Sequence, residues 1–225
     1  MKVKIKVWVS FTSIIIATSS YGQTNLILQP NSEEGKDALL HELESNRNSN
    51  YGYTHQFIAS AWTFDGQPGI VRSVIDFDLS AVPSNANINN AYLSLYAWNS
   101  TVASGPHSSL SGSNACWLQR ITENWEESSV TWNNQPGVTT QNQVTLPETS
   151  LPDLDYIDID VTNLVKDMIS DPENSHGFMI RLQEEQFYRR MNFCSSDHAD
   201  SLKHPKLLII FNDEVFPDSC FNIER

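Results

Sequence analysis

The chain has 225 residues, of which 40% are hydrophobic and 18% charged, with 27 acidic against 14 basic side chains and a formal charge of −13. That length suits one domain with a full core and is too short for two comfortable ones. The acidic balance excludes nucleic acid and anionic membrane surfaces as natural partners, and three cysteines cannot all pair within one chain.

Lys2, Lys4 and Lys6 precede an apolar run over residues 7–17, and Ser20 and Gly22 are small residues at the two positions a signal peptidase reads. This pattern predicts a secretory signal peptide over residues 1–22, cut before Gln23. The run is too short for a permanent membrane anchor, so a secreted or cell-surface chain without membrane insertion is expected. Removing residues 1–22 takes away three lysines and no acids and leaves a charge of −16. Residues 23–36 read as a polar lead-in, and residues 37–43 as a strand or a short helix. Residues 44–53 are rich in Asn and Ser, which favours a loop. Residues 57–62 read as a strand, followed by a turn at FDGQPG (64–69).

Residues 71–98 hold two runs of alternating character around a turn-rich middle. In the first, Val71, Ser73, Ile75 and Phe77 are expected on one face, with Arg72, Val74, Asp76 and Asp78 on the other. In the second, Ala91, Leu93, Leu95 and Ala97 oppose Tyr92, Ser94, Tyr96 and Trp98. Residues 101–114 form a Ser/Gly-rich excursion, residues 115–121 a strand, and NNQPG (133–137) a turn. Residues 154–161 alternate again, with Ile157, Ile159 and Val161 against Tyr156, Asp158 and Asp160. The apolar spacing then changes to a helical period near residues 162–170, with Thr162 as the expected N-cap. Strands over residues 178–182, 187–194 and 206–211 follow, and residues 212–225 form a C-terminal tail. Many short strands separated by turn signals predict an all-β fold, an antiparallel β-sandwich with one short helix.

The stretch RSVIDFDLSAVPSNANINNAYLSLY (72–96) resembles the core of DNRLRE-type domains, grouped as carbohydrate-binding module family 96. ITENWEESSVTWNNQP (121–136), IDVTNLV (159–165), NSHGFMIRL (174–182) and HPKLLIIF (204–211) match in the same order, as does SNYGY (49–53) near the start. The resemblance spans residues 37–211. It implies a jelly-roll-like sandwich that recognises extracellular polysaccharide, with an alginate-type uronate as the family's ligand. A structural or adhesion domain of a surface protein, and an accessory domain of a polysaccharide-degrading system, are the alternative roles.

A polysaccharide binder needs aromatic faces for sugar C–H surfaces and polar groups for hydroxyls or carboxylates. Strand alternation turns Arg72, Arg181, Arg190 and Tyr188 outward onto what becomes one basic wall if their strands are neighbours. A guanidinium grips a carboxylate in a bidentate fork, as a uronate requires. The competing reading is a ladder of ion pairs with Asp76, Asp158 and Asp160. Tyr96 and Trp98 share the outer side of another strand, either as a sugar platform or as packing under a loop. Cys116 is expected as a buried thiol, and Cys194 either pairs with Cys220 or stays free.

Asp37, Glu42, Asp197 and Asp200 are candidate donors for a structural Ca²⁺, set against a plain solvated acidic surface. No cofactor is otherwise expected, because no EF-hand or zinc spacing is present. The chain also lacks the R-x-E-L-R, Q-I-H and Y-K-x-G strands through which jelly-roll alginate lyases resemble one another, and it has no G-x-S-x-G elbow. A non-catalytic protein is therefore expected.

Overall fold

The computed structural model describes residues 22–99 and 105–213. Residues 1–21, which make up nearly all of the expected signal peptide, residues 100–104 of the long excursion, and the tail beyond residue 213, Cys220 included, lie outside the described residues. The strands are β1 (Gly22–Leu28), β2 (Lys36–His41), β3 (Gln56–Phe64), β4 (Gln67–Asp76), β5 (Asn87–Leu95), β6 (Ser108–Ser109), β7 (Cys116–Ile121) and β8 (Val138–Leu146). After β9 (Tyr156–Asp160) come the helix α1 (Thr162–Ser170) and strands β10 (Phe178–Leu182), β11 (Arg189–Cys194) and β12 (Lys206–Asp213).

A small sheet runs β1-β12-β5-β9, and a large one runs β6-β11-β3-β4-β10-β7-β8, with β2 as a further partner of β4. Every pairing is antiparallel. The fold is an antiparallel β-sandwich with one short helix. β1 lies along β12 with Gly22 opposite Asp213.

Alternation builds the interior. Phe57, Ala59 and Ala61 of β3 join Leu93 and Leu95 of β5, Phe178, Ile180 and Leu182 of β10, and Met191 and Phe193 of β11 in one apolar cluster. The large sheet is also covered on its outer face. Ala38, Leu40, Val74 and Met179 pack with Trp125 and Val130 from the β7–β8 connection. Leu39, Ile58 and Val71 pack with Tyr51 and Phe64. Burial on both faces explains why β10 reads as an almost unbroken apolar run.

Several local expectations are corrected. The lead-in contains β1, an edge strand. Residues 138–146, which carry no strong apolar alternation, form β8 at the edge of the large sheet, with a register shift against β7 and left-handed Asn142 (φ +55°). The alternation of residues 154–161 also breaks. Tyr156 is buried in the core, Ile157 is exposed and Ile159 packs inward. Asp158 lies between them with a left-handed φ of +56°, a conformation that Asp tolerates better than most side chains.

The first run shifts phase too. Ile70 and Ile75 pack on the main core, whereas Val71 and Val74 pack in the outer clusters. β4 changes neighbours there, pairing with β3 as far as Val71 and with β10 only from Ser73. Where the β3 ladder stops, the Ser73 hydroxyl accepts from the Ile58 N–H (2.8 Å) and donates to its carbonyl (2.9 Å).

Thr162 is the first helical residue rather than the cap. Its N–H donates to Asp160 Oδ1 (3.0 Å), and its hydroxyl accepts from the Ala91 N–H (2.9 Å). The FDGQPG turn contracts to Asp65-Gly66, both left-handed at φ +49° and +79°, as a two-residue hairpin requires. Cys116 is buried as expected, and Cys194 is a buried thiol with no disulfide partner among the described residues; its expected partner Cys220 lies outside them.

Candidate functional site

Residues 183–188, the short connection from β10 to β11, gather four of the six expected site residues. Glu185 receives a bidentate fork from Arg72, with Nε to Oε1 at 2.8 Å and Nη2 to Oε2 at 3.0 Å. Arg181 Nη2 approaches the same Oε2 at 3.3 Å. Arg72 also donates through Nη1 to Gln135 Oε1 (2.9 Å), and its guanidinium lies 4.7 Å from the centre of the Trp132 ring. The NNQPG turn sets that corner, because Gln135 Nε2 donates back to the Trp132 carbonyl at 3.0 Å. The Arg72 and Glu185 side chains keep only 16% and 15% of their exposure, against 31% for Arg181. Burial, then the neighbouring Arg72, pushes the Arg181 guanidinium down, and Glu185 opposes them.

At the other end of the connection, Tyr188 takes a left-handed φ of +71° and its N–H donates to the Ala61 carbonyl (2.8 Å). Its ring meets Trp62 edge-on, with centres 5.3 Å apart. The Arg190 guanidinium covers the Trp62 ring at 4.5 Å, and its Nε donates to the Pro106 carbonyl (2.8 Å). Among the described residues Arg190 forms no ion pair, and burial pushes its guanidinium down to about 10. Arg189 turns instead to Glu184 (2.7 Å) and Gln186 (2.9 Å).

Arg72, Arg181, Arg190 and Tyr188 thus surround one connection, as their strand order β11-β3-β4-β10 allows. Ion pairing does hold Arg72 and Arg181, but through Glu185. The carboxylates expected for that role are engaged elsewhere: Asp76 with Lys36 (3.4 Å), Asp158 with Ser94 (3.5 Å), and Asp160 with the Thr162 N–H. Tyr96 and Trp98 lie past the end of β5, where Ala97 bridges to Phe193 of β11 and the Trp98 N–H donates to the Asn192 carbonyl (3.0 Å). The Trp98 ring meets His198 edge-on at 5.4 Å. No hydrogen bond or ring contact among the described residues joins either to the Arg72–Glu185–Arg181 group. Trp62, Trp132, Gln135 and Glu185 were missed as members of the site. Trp62 was within reach, because Phe57, Ala59 and Ala61 facing inward turn it outward.

Of the four proposed Ca²⁺ donors, Asp37 and Asp197 are near neighbours, while Glu42 and Asp200 serve local hydrogen bonds elsewhere. Asp37 is buried, accepts from the Ser196 N–H at 2.8 Å, and is pushed by burial up to about 7. Glu42 accepts from the Ile70 N–H (3.1 Å) and Asp200 from the Leu202 N–H (3.1 Å). Among the described residues, no group of three His, Cys, Asp or Glu side chains is placed to hold a metal. Two clefts of about 520 and 570 Å³ share Glu34, Asp76, Phe77 and Asp78. None of the six expected site residues lines either cleft.

No helix among the described residues is long and apolar enough to cross a membrane. Residues 31–211 match the family model described as carbohydrate-binding module family 96. A search of curated proteins finds no match to the chain.

Proposed function

The chain belongs to carbohydrate-binding module family 96, and from that premise we propose that it is a secreted, non-catalytic module that holds extracellular polysaccharide on the wall around residues 183–188. One observation carries the proposal: Arg181, Arg190, Trp62 and Tyr188 assemble around one surface connection, with Tyr188 42% exposed. Aromatic rings offer apolar faces to sugar C–H groups, while guanidinium N–H groups donate to hydroxyl or carboxylate oxygens.

One feature favours binding without cleavage. Glu184 and Glu185 are each committed to an arginine, whereas glycoside hydrolysis by the usual route needs two carboxyl groups facing each other across the sugar. Secretion is inferred from the basic and apolar start of the chain. An alginate-type uronate polymer and an uncharged polysaccharide are both within the chemistry of this surface.

Electrophoresis through gels containing alginate or an uncharged polysaccharide tests the proposal. At least one glycan is expected to retard the protein, and Arg181→Ala and Arg190→Ala should each weaken that retardation while melting cooperatively. Migration unaffected by either glycan, or variants retarded as strongly as the parent, would overturn it.

A further inference from the structure

We infer that Glu185 is the selectivity residue of this wall, an internal carboxylate that occupies the Arg72 fork and turns the surface towards uncharged glycans. The inference rests on the binding proposal above and concerns which sugars the same surface admits.

A guanidinium has five N–H donors in one plane, and its strongest recognition mode is a parallel pair of bonds to one carboxylate. In Arg72 that pair is already formed, through Nε and Nη2 to the two oxygens of Glu185. Gln135 takes a donor at Nη1, and Trp132 covers the guanidinium at 4.7 Å. A glycan carboxylate therefore reaches the Arg72 fork only by displacing Glu185. Arg181 is the more exposed arginine, but its Nη2 is 3.3 Å from the same carboxylate, so an anion arriving there meets a like charge. A sugar hydroxyl carries no charge and avoids that repulsion.

The sequence places Glu185 three residues before Tyr188, so the charge filter and the aromatic surface travel on one short connection. Glu184 and Glu185 offset two of the four charges of Arg72, Arg181, Arg189 and Arg190. Replacing Glu185 by Gln removes one negative charge and loosens the fork while nearly preserving side-chain volume.

Calorimetric titration with a uronate oligosaccharide and an uncharged hexose oligosaccharide of equal length tests the assignment. The readout is the ratio of the two affinities, with a thermal melt establishing that each variant is folded. Glu185→Gln is expected to shift the ratio towards the uronate by about tenfold at low salt, and the shift should shrink as salt screens the exposed charges. Glu185→Asp keeps the charge but, one methylene shorter, slackens the fork; its ratio should stay within about twofold of the parent. An unchanged ratio in Glu185→Gln, or an equal shift in both variants, overturns the assignment. A parent protein that binds neither oligosaccharide overturns the binding proposal itself.

Discussion

Two arginines on the same wall stack on tryptophans and are neutralised in different ways. Arg72, over Trp132, gives two of its donors to the partly buried carboxylate of Glu185. Arg190, over Trp62, has a carbonyl oxygen and a ring face but no carboxylate among the described residues. A guanidinium locked to an internal anion contributes rigidity and little net charge. One held by a π face and a carbonyl keeps its charge, at the cost of a depressed affinity for its own proton. On the proposed function, the first corner would serve architecture and selectivity, and the second would be the better placed to attract a ligand.

Asp37 is the extreme case of a charge site without a counter-ion: a buried carboxyl close to two further acids, Asp197 and Glu127. Burial, then the nearby Asp197 and Glu127, raise it from 3.8 to about 7, against bonds to Ser196 that lower it. The folded protein therefore holds a proton that the unfolded chain releases in that interval. Asp37 should make the protein progressively less stable as pH rises from about 4 to about 7, by up to about 4 kcal/mol, and change little above. Asp37→Asn is expected to flatten that slope in urea denaturation followed across the pH range; an unchanged slope would discount Asp37 as its source.

The next largest effect is expected for Arg72→Ala, which takes the bidentate fork from Glu185 and leaves it the single 3.3 Å contact with Arg181. Loss of about 2 kcal/mol in a chemical denaturation series is the expectation. Arg190→Ala, by contrast, orphans no buried acid and gives up one cation–π contact and one hydrogen bond, so its cost should be about 1 kcal/mol. Equal losses for the two variants would break the distinction between the corners. Replacing Glu185 together with Arg72 by apolar residues should recover part of the Arg72→Ala loss, because the charge left without its partner is then the more exposed Arg181.

Much of the architecture was legible because apolar side chains on half-buried strands repeat every second residue. Phe57, Ala59 and Ala61 follow that rule without interruption. It failed where the backbone itself departs from the pleat. Left-handed Asp158 turns Ile157 out and Tyr156 in, and β4 slips phase where Ser73 replaces a ladder bond to Ile58. The site was legible by halves. Outward positions for Arg72, Arg181 and Arg190 follow from local alternation, and the structure brings them to one connection. Glu185 could not be matched to Arg72, 113 residues earlier in the chain, because nothing local specifies that meeting. The candidate acids chosen in its place, Asp76, Asp158 and Asp160, were taken up by nearer demands from Lys36, Ser94 and the start of α1.

The pairing of β1 with β12 has a mechanical consequence. With Gly22 opposite Asp213, the polypeptide enters and leaves the sandwich side by side. Opposing tension on the start of β1 and the end of β12 would load the backbone bonds between these strands one after another, like a zipper opened from its end. On the proposed function, drag between the end of β12 and a glycan at residues 183–188 would instead be shared among the sheets, a load the sandwich resists better than separation of β1 from β12.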